Sequence, residues 1–128
     1  MTLITPVQTS QSASGLDPHL PSIRVELERQ RRFRRDQLGN LAAEASKHLA
    51  AEEEARREVS RVLRLAAESA LVEIEAALQR LDDASYGVCE RCEEPIPVER
   101  LEVLPMSRLC TPCQYRLESA RFRTQRRL

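Results

Sequence analysis

The sequence predicts a mostly α-helical protein with a small four-cysteine zinc-finger module near its C-terminal end. Three observations carry this. From Ser22 to Ser85 there is no proline, and Gly39 is the only glycine. Ala, Leu, Glu and Arg dominate, and charged residues make up 31% of the chain, the composition of long solvated helices. All four cysteines fall in two close pairs, Cys89–Cys92 and Cys110–Cys113. The chain has 128 residues, is only 3% aromatic and contains no tryptophan. That suits one modest domain, or a small module with an extension, and not a large globular core.

Residues 1–21 are rich in Ser, Thr, Gln and Pro without periodicity, and are read as a disordered tail. They lack a basic start followed by an apolar core, so no secretory signal is expected. No apolar stretch approaches the length of a membrane span. A cytoplasmic protein is expected.

Residues 22–85 are expected to be helical. Val59, Leu63, Ala66, Ala70, Ile74, Ala77 and Leu81 recur at steps of three or four, which places them on one helix face. Ile23, Leu27, Arg34, Leu38, Leu41, Ala45 and Leu49 make a poorer upstream stripe. Two such stripes bury each other in an antiparallel hairpin bending near Ser46–Ala51. The rival is one uninterrupted helix that dimerises along its length. Residues 46–58 contain no helix breaker, and Gly39 beside Asn40 offers another place to break.

Residues 86–113 hold all the cysteines and the prolines Pro95, Pro97, Pro105 and Pro112. The C-x2-C…C-x2-C spacing is that of a tetrahedral four-cysteine zinc site: Cys89, Cys92, Cys110 and Cys113 as ligands. Four thiolates close the coordination sphere, so one structural ion is expected and no catalysis. Iron in the same cage, two disulfides or a redox dithiol are the alternatives. Residues 114–128 read as a final helix fraying into a basic tail, with five arginines against Glu118.

Several features resemble the DksA/TraR family of bacterial transcription regulators. Ala77-Leu78-x-Arg80-Leu81 leads to Tyr86-Gly87-x-Cys89. Ile96, Arg100-Leu101-Glu102 and Pro105 follow in the loop, and Leu109-Cys110-x-x-Cys113-Gln114 closes it. The resemblance implies an antiparallel coiled-coil finger over residues 22–85 with its tip about 46–51, on a zinc-bearing palm. It also implies that the finger enters the secondary channel of bacterial RNA polymerase and modulates initiation, often with ppGpp, without reading DNA sequence.

The chain departs from the family pattern at the fingertip. Ser46 and Leu49 stand where two acids are usual, although Ala51 is kept; Glu52, Glu53 and Glu54 are the nearest substitutes. Glu73, Leu104 and Gln114 replace basic residues associated with ppGpp, while Arg100 is retained. These changes count against ppGpp binding at that site. Glu93 replaces the usual glycine after the second cysteine. Its backbone is expected to be left-handed, at a cost of roughly 1 kcal/mol.

Bland readings stand beside these. His19 and His48 are expected to be solvent-exposed bystanders. The arginines of 29–35 are expected to form a polar helix face. Phe33, Tyr86, Tyr115 and Phe122 are too scattered in sequence for a base-stacking platform. A monomer is expected, with no membrane partner. The competing functions are a zinc-stapled coiled-coil adaptor for another partner and a zinc-ribbon nucleic-acid binder. The second is disfavoured by three arginines against five acids over 87–113. No nucleophile–base pair or open metal site suggests an enzyme.

Overall fold

The computed structural model describes residues 15–45 and 54–127. A 3-10 turn, Asp17–His19, leads into α1, Leu20–Ala45; then follow α2, Glu54–Asp82, α3, Val98–Val103, and α4, Thr111–Arg127. Among the described residues there is no strand, only an isolated antiparallel bridge between Val88 and Pro95.

Helix α1 starts before Ser22, with Pro21 in its first turn. Proline is tolerated there because the first N–H groups of a helix have no intrahelical acceptor. The expectation of disorder over 1–21 is therefore corrected for residues 15–21, which are helical and place Leu16 and Leu20 against the core; residues 1–14 lie outside the described residues. Gly39 does not interrupt α1, and a Cβ there would meet nothing within 4 Å.

Helices α1 and α2 pack as an antiparallel hairpin, not as one continuous helix. Arg24 near the start of α1 pairs with Asp82 at the end of α2, and Arg35 further along pairs with Glu75, each at 2.9 Å. The bend expected near Ser46–Ala51 lies outside the described residues. On α1 the inner face follows the expected stripe: Ile23 and Leu27 are buried, and Arg34, Leu38, Leu41 and Ala45 are half-buried.

On α2 the expected stripe needs correction at its finger end. The inner positions are Ser60, Ala67, Ala70, Ile74, Ala77 and Leu81, whereas Val59 (58% exposed) and Ala66 face solvent and Leu63 is 44% exposed. Ser60, Ala67, Ile74 and Leu81 keep a strict seven-residue spacing. Small side chains at the first two let the helices approach closely, and the larger Val59 is turned to the flank.

Helix α2 ends in a Schellman motif. Ser85 N–H donates to Arg80 O at 3.0 Å, Ala84 N–H points to Leu81 O at 3.4 Å, and Ala84 is left-handed with φ 61°. Glycine is usual at such a position.

One core joins the base of the hairpin to the cysteine module. Ile23, Leu27, Ile74, Ala77 and Leu78 cluster with Tyr86, Cys89, Ile96, Leu101, Leu109, Cys110 and Cys113. Leu16, Leu20, Leu81, Met106 and Leu117 close its edges. Gly87 is required on two counts. Its φ is +91°, and a Cβ there would lie 2.5 Å from a methyl of Leu16.

Candidate metal centre

The two cysteine pairs come from different local structures. Cys89 and Cys92 sit on a tight knuckle: Glu93 N–H donates to Cys89 O at 2.9 Å, and Cys89 N–H donates to Glu94 O at 2.9 Å. Closing this turn needs a left-handed residue, and Glu93 supplies it at φ 65°, as the sequence led us to expect. Cys110 and Cys113 flank the start of α4, whose first turn sets their spacing. A bond from Glu90 N–H to Arg108 O, 3.0 Å, ties one knuckle to the other.

These elements bring all four sulfurs within 4.8 Å of one another. None is disulfide-bonded. A tetrahedral ion with Zn–S bonds of about 2.3 Å needs sulfur–sulfur edges of roughly 3.8 Å. The Cys92–Cys110 pair stands at 3.7 Å, a tetrahedral edge rather than a useful thiol hydrogen bond. The donor set therefore fits a four-coordinate soft metal with no open position. Cys92 is exposed and the other three are buried.

The thiols' own environment prepares them unequally. Burial pushes Cys89 up, but backbone N–H groups of Cys92, Cys110 and Arg91 outweigh it and bring it down to about 6. Burial, and then the crowding sulfurs of Cys110, Cys89 and Cys92, push Cys113 up to about 12. Four neighbouring sulfurs cannot all ionise unaided, so a divalent cation is the charge that lets them do so.

Two arginines, whose structural roles sequence reasoning did not single out, brace the module. Arg80 is half-buried. Its Nη2 lies 3.4 Å from the carbonyls of Met106 and Ser107, and its Nη1 lies 3.8 Å from Glu90. Arg108 bridges Glu73 at 3.6 Å and Glu90 at 3.4 Å, so α2 is pinned to the first knuckle. The available signal was the position of Arg80 inside Ala77-Leu78-x-Arg80-Leu81. Buried Tyr86 donates from its hydroxyl to Pro105 O at 2.7 Å, fixing the loop after α3. Burial pushes this phenol up to about 12, with Arg80 opposing weakly.

The fingertip candidates Ser46, Leu49, Ala51, Glu52 and Glu53 lie outside the described residues. Glu54 opens α2. His48 is likewise outside them. His19 is not a free-tail residue: it is half-buried at the foot of α1, with Nδ1 4.0 Å from the Glu102 carboxylate. In the arginine cluster, Arg29 chelates Glu26 at 2.6 and 3.0 Å, Arg34 bonds Gln37, and Arg35 takes Glu75. Hydrogen bonds from Arg29 and then Gln30 hold the Glu26 carboxyl down at about 2. Arg100, retained from the ppGpp set, donates to Leu109 O at 3.2 Å, and Glu73 is engaged by Arg108.

The hairpin has two unlike flanks. On one, Leu41 of α1 lies beside Val59 and Leu63 of α2 around a shallow depression of about 370 Å³, which shares Leu41 and Glu44 with a second, of about 290 Å³, that Phe33 lines on α1. On the other, Arg57, Arg61 and Arg64 face Leu41 and Ala45.

A helical hairpin sharing its core with a closed four-cysteine site defines a class of protein: a finger held on a metal-stapled base. The comparisons narrow it further. Residues 84–119 match the family described as prokaryotic dksA/traR C4-type zinc finger. The chain is 33% identical over 88 residues to the RNA polymerase-binding transcription factor DksA of Caulobacter vibrioides, covering 66% of this chain and 62% of that one. It is 44% identical over 48 residues to general stress protein 16O of Bacillus subtilis, covering 38% of this chain and 29% of that one. The solved structure of transcription factor DksA2 from Pseudomonas aeruginosa matches with a TM-score of 0.70 at 27% identity, over 79% of this chain and 84% of that one. The aligned segments thus span less than two thirds of these curated relatives' length. Residues 84–119 thus carry the dksA/traR-type zinc finger, and the chain is DksA-like. That family is one of transcription factors, not enzymes. No described helix is long and apolar enough to cross a membrane.

Proposed function

We propose that this chain is a cytoplasmic transcription factor that binds bacterial RNA polymerase and inserts its hairpin into the secondary channel to modulate initiation. Its metal is one structural zinc ion held by Cys89, Cys92, Cys110 and Cys113. Zinc supplies no reaction here; it neutralises four thiolates and staples the base from which the finger projects.

The apolar flank is the observation that carries this reading. Val59, Leu63 and Leu41 line one shallow depression of the hairpin, and none of them belongs to the core that the base already satisfies. Contiguous apolar surface on a projecting element marks a protein-binding face. The relatives' names supply the partner, since the aligned DksA proteins are RNA polymerase-binding factors.

The tip residues Ser46, Leu49, Ala51, Glu52, Glu53 and Glu54 are the ones to approach the active centre. With Ser46 and Leu49 in place of paired acids, the tip holds a cation poorly, and the effect on promoter complexes is weakened or altered. Arg100 and Glu73 are occupied by partners within the chain, so the effect is largely insensitive to ppGpp.

Capture of core RNA polymerase by the purified chain, with and without Val59→Glu/Leu63→Glu, tests this. We expect capture by the natural chain and loss by at least tenfold with the variant, while zinc content and helicity stay unchanged. Failure of the natural chain to capture polymerase would leave the adaptor reading instead.

A further inference from the structure

The outward face of α4 brings together residues that sequence spacing had kept apart. Cys113 is buried and Leu117 packs against the core, so the opposite side of the helix looks away from the molecule. That side carries Tyr115 and Phe122, 70% and 60% exposed, with Ser119 between them. They sit seven residues apart, two helical turns or about 10 Å. The expectation that these aromatic residues are scattered is corrected for this pair. Arg116, Glu118 and Arg123 line the same shallow concavity, of about 640 Å³, as both rings. Among the described residues, no carboxylate forms an ion pair with either guanidinium. Glu118, the one acid on the helix, accepts a hydrogen bond from Gln114 at 2.9 Å.

We propose that this face binds single-stranded nucleic acid without sequence preference, the two rings stacking on bases and Arg116 and Arg123 contacting phosphates. Cationic groups interleaved with exposed rings are the chemistry by which such strands are held. An acidic peptide would use the arginines but leave the rings idle. A duplex is disfavoured because its bases are already stacked and paired, leaving no base face for the rings, whereas a flexible single strand offers both bases and phosphates to one helix. This binding does not depend on polymerase, so it stands or falls separately from the proposed function.

The test is fluorescence anisotropy with the full-length zinc-loaded chain and labelled oligonucleotides of about 15 nucleotides, as single strands and as a duplex. We expect a dissociation constant on the order of 10 to 100 µM at low salt, as for other non-specific contacts. Two phosphate contacts give a log–log salt slope of about −1.4. Arg116→Glu/Arg123→Glu should abolish binding. Tyr115→Ala/Phe122→Ala should weaken it at least about tenfold. All four residues point away from the core, so zinc content and helicity, measured on the same samples, should not change. No binding by the natural chain at low salt overturns the proposal. So does unaltered binding by the aromatic variant, which would mean plain charge attraction. Equal displacement by poly-glutamate also overturns it, and would assign the face to an acidic protein.

Discussion

Ala84 and Glu93 both hold a left-handed backbone with a side chain attached, one closing α2 and the other closing the first cysteine knuckle. Each costs roughly 1 kcal/mol relative to glycine, less the entropy that glycine adds to the unfolded chain. Ala84→Gly and Glu93→Gly should therefore each raise the thermal midpoint by a few degrees, read by circular dichroism; a lowered midpoint would show that the side chains contribute more than the strain costs. Tyr86 offers a pH test. Its folded value, about 12, lies above the ordinary 10. The neutral phenol is thus the form the fold favours. Its contribution is complete below pH 10 and fades as the pH rises from 10 towards 12. Phenolate absorbance should show one tyrosine ionising late, and Tyr86→Phe should remove that late step. The same substitution deletes the bond to Pro105 O and should cost about 1 to 2 kcal/mol.

At the scale of elements, the hairpin's register is open to a direct check. Leu41 lines both depressions in which Ser60 takes part. A Leu41→Cys/Ser60→Cys chain should oxidise to an intramolecular crosslink, visible as a mobility shift that dilution does not remove; crosslinks only between chains would mean that the helices pair otherwise. The helices themselves were legible in the sequence, since nothing between Ser22 and Ala45 or after Glu54 interrupts them. The α2 seam was less so. A search for apolar recurrence selects Val59 and Ala66, whereas packing selects Ser60 and Ala67 because small residues permit close approach. Hydrophobicity and closeness of approach part company wherever a helix carries an apolar residue for some purpose other than its own fold. The start of α1 was obscured in a different way: Pro18 and Pro21 read as breakers, yet both stand where a helix has no N–H to lose.

At the scale of the molecule, the shared core makes the metal a keystone for more than its own module. The cluster of cysteines was plain from spacing alone; that three of them share one core with Ile23, Leu27 and Ile74 was not, because that packing is long-range. Purified without added metal, the chain should carry one zinc per chain by elemental analysis. Chelation should cost helical signal from the foot of the hairpin as well as order in residues 86–113, because removing the staple opens the core that both share. Loss confined to the module would show the hairpin to be self-sufficient. The same core also sets a schedule for biosynthesis. Leu16 and Leu20 leave the ribosome early, but Leu117, which packs against the same core, is made about a hundred residues later. At roughly 5–20 residues per second that is a wait of about 5 to 20 seconds. During it the hairpin can zip from its finger end, while its foot stays greasy and open. A transcript that ends before α4 would thus yield a chain with a formed finger and a permanently unsealed root, a substrate for proteases rather than a smaller working protein.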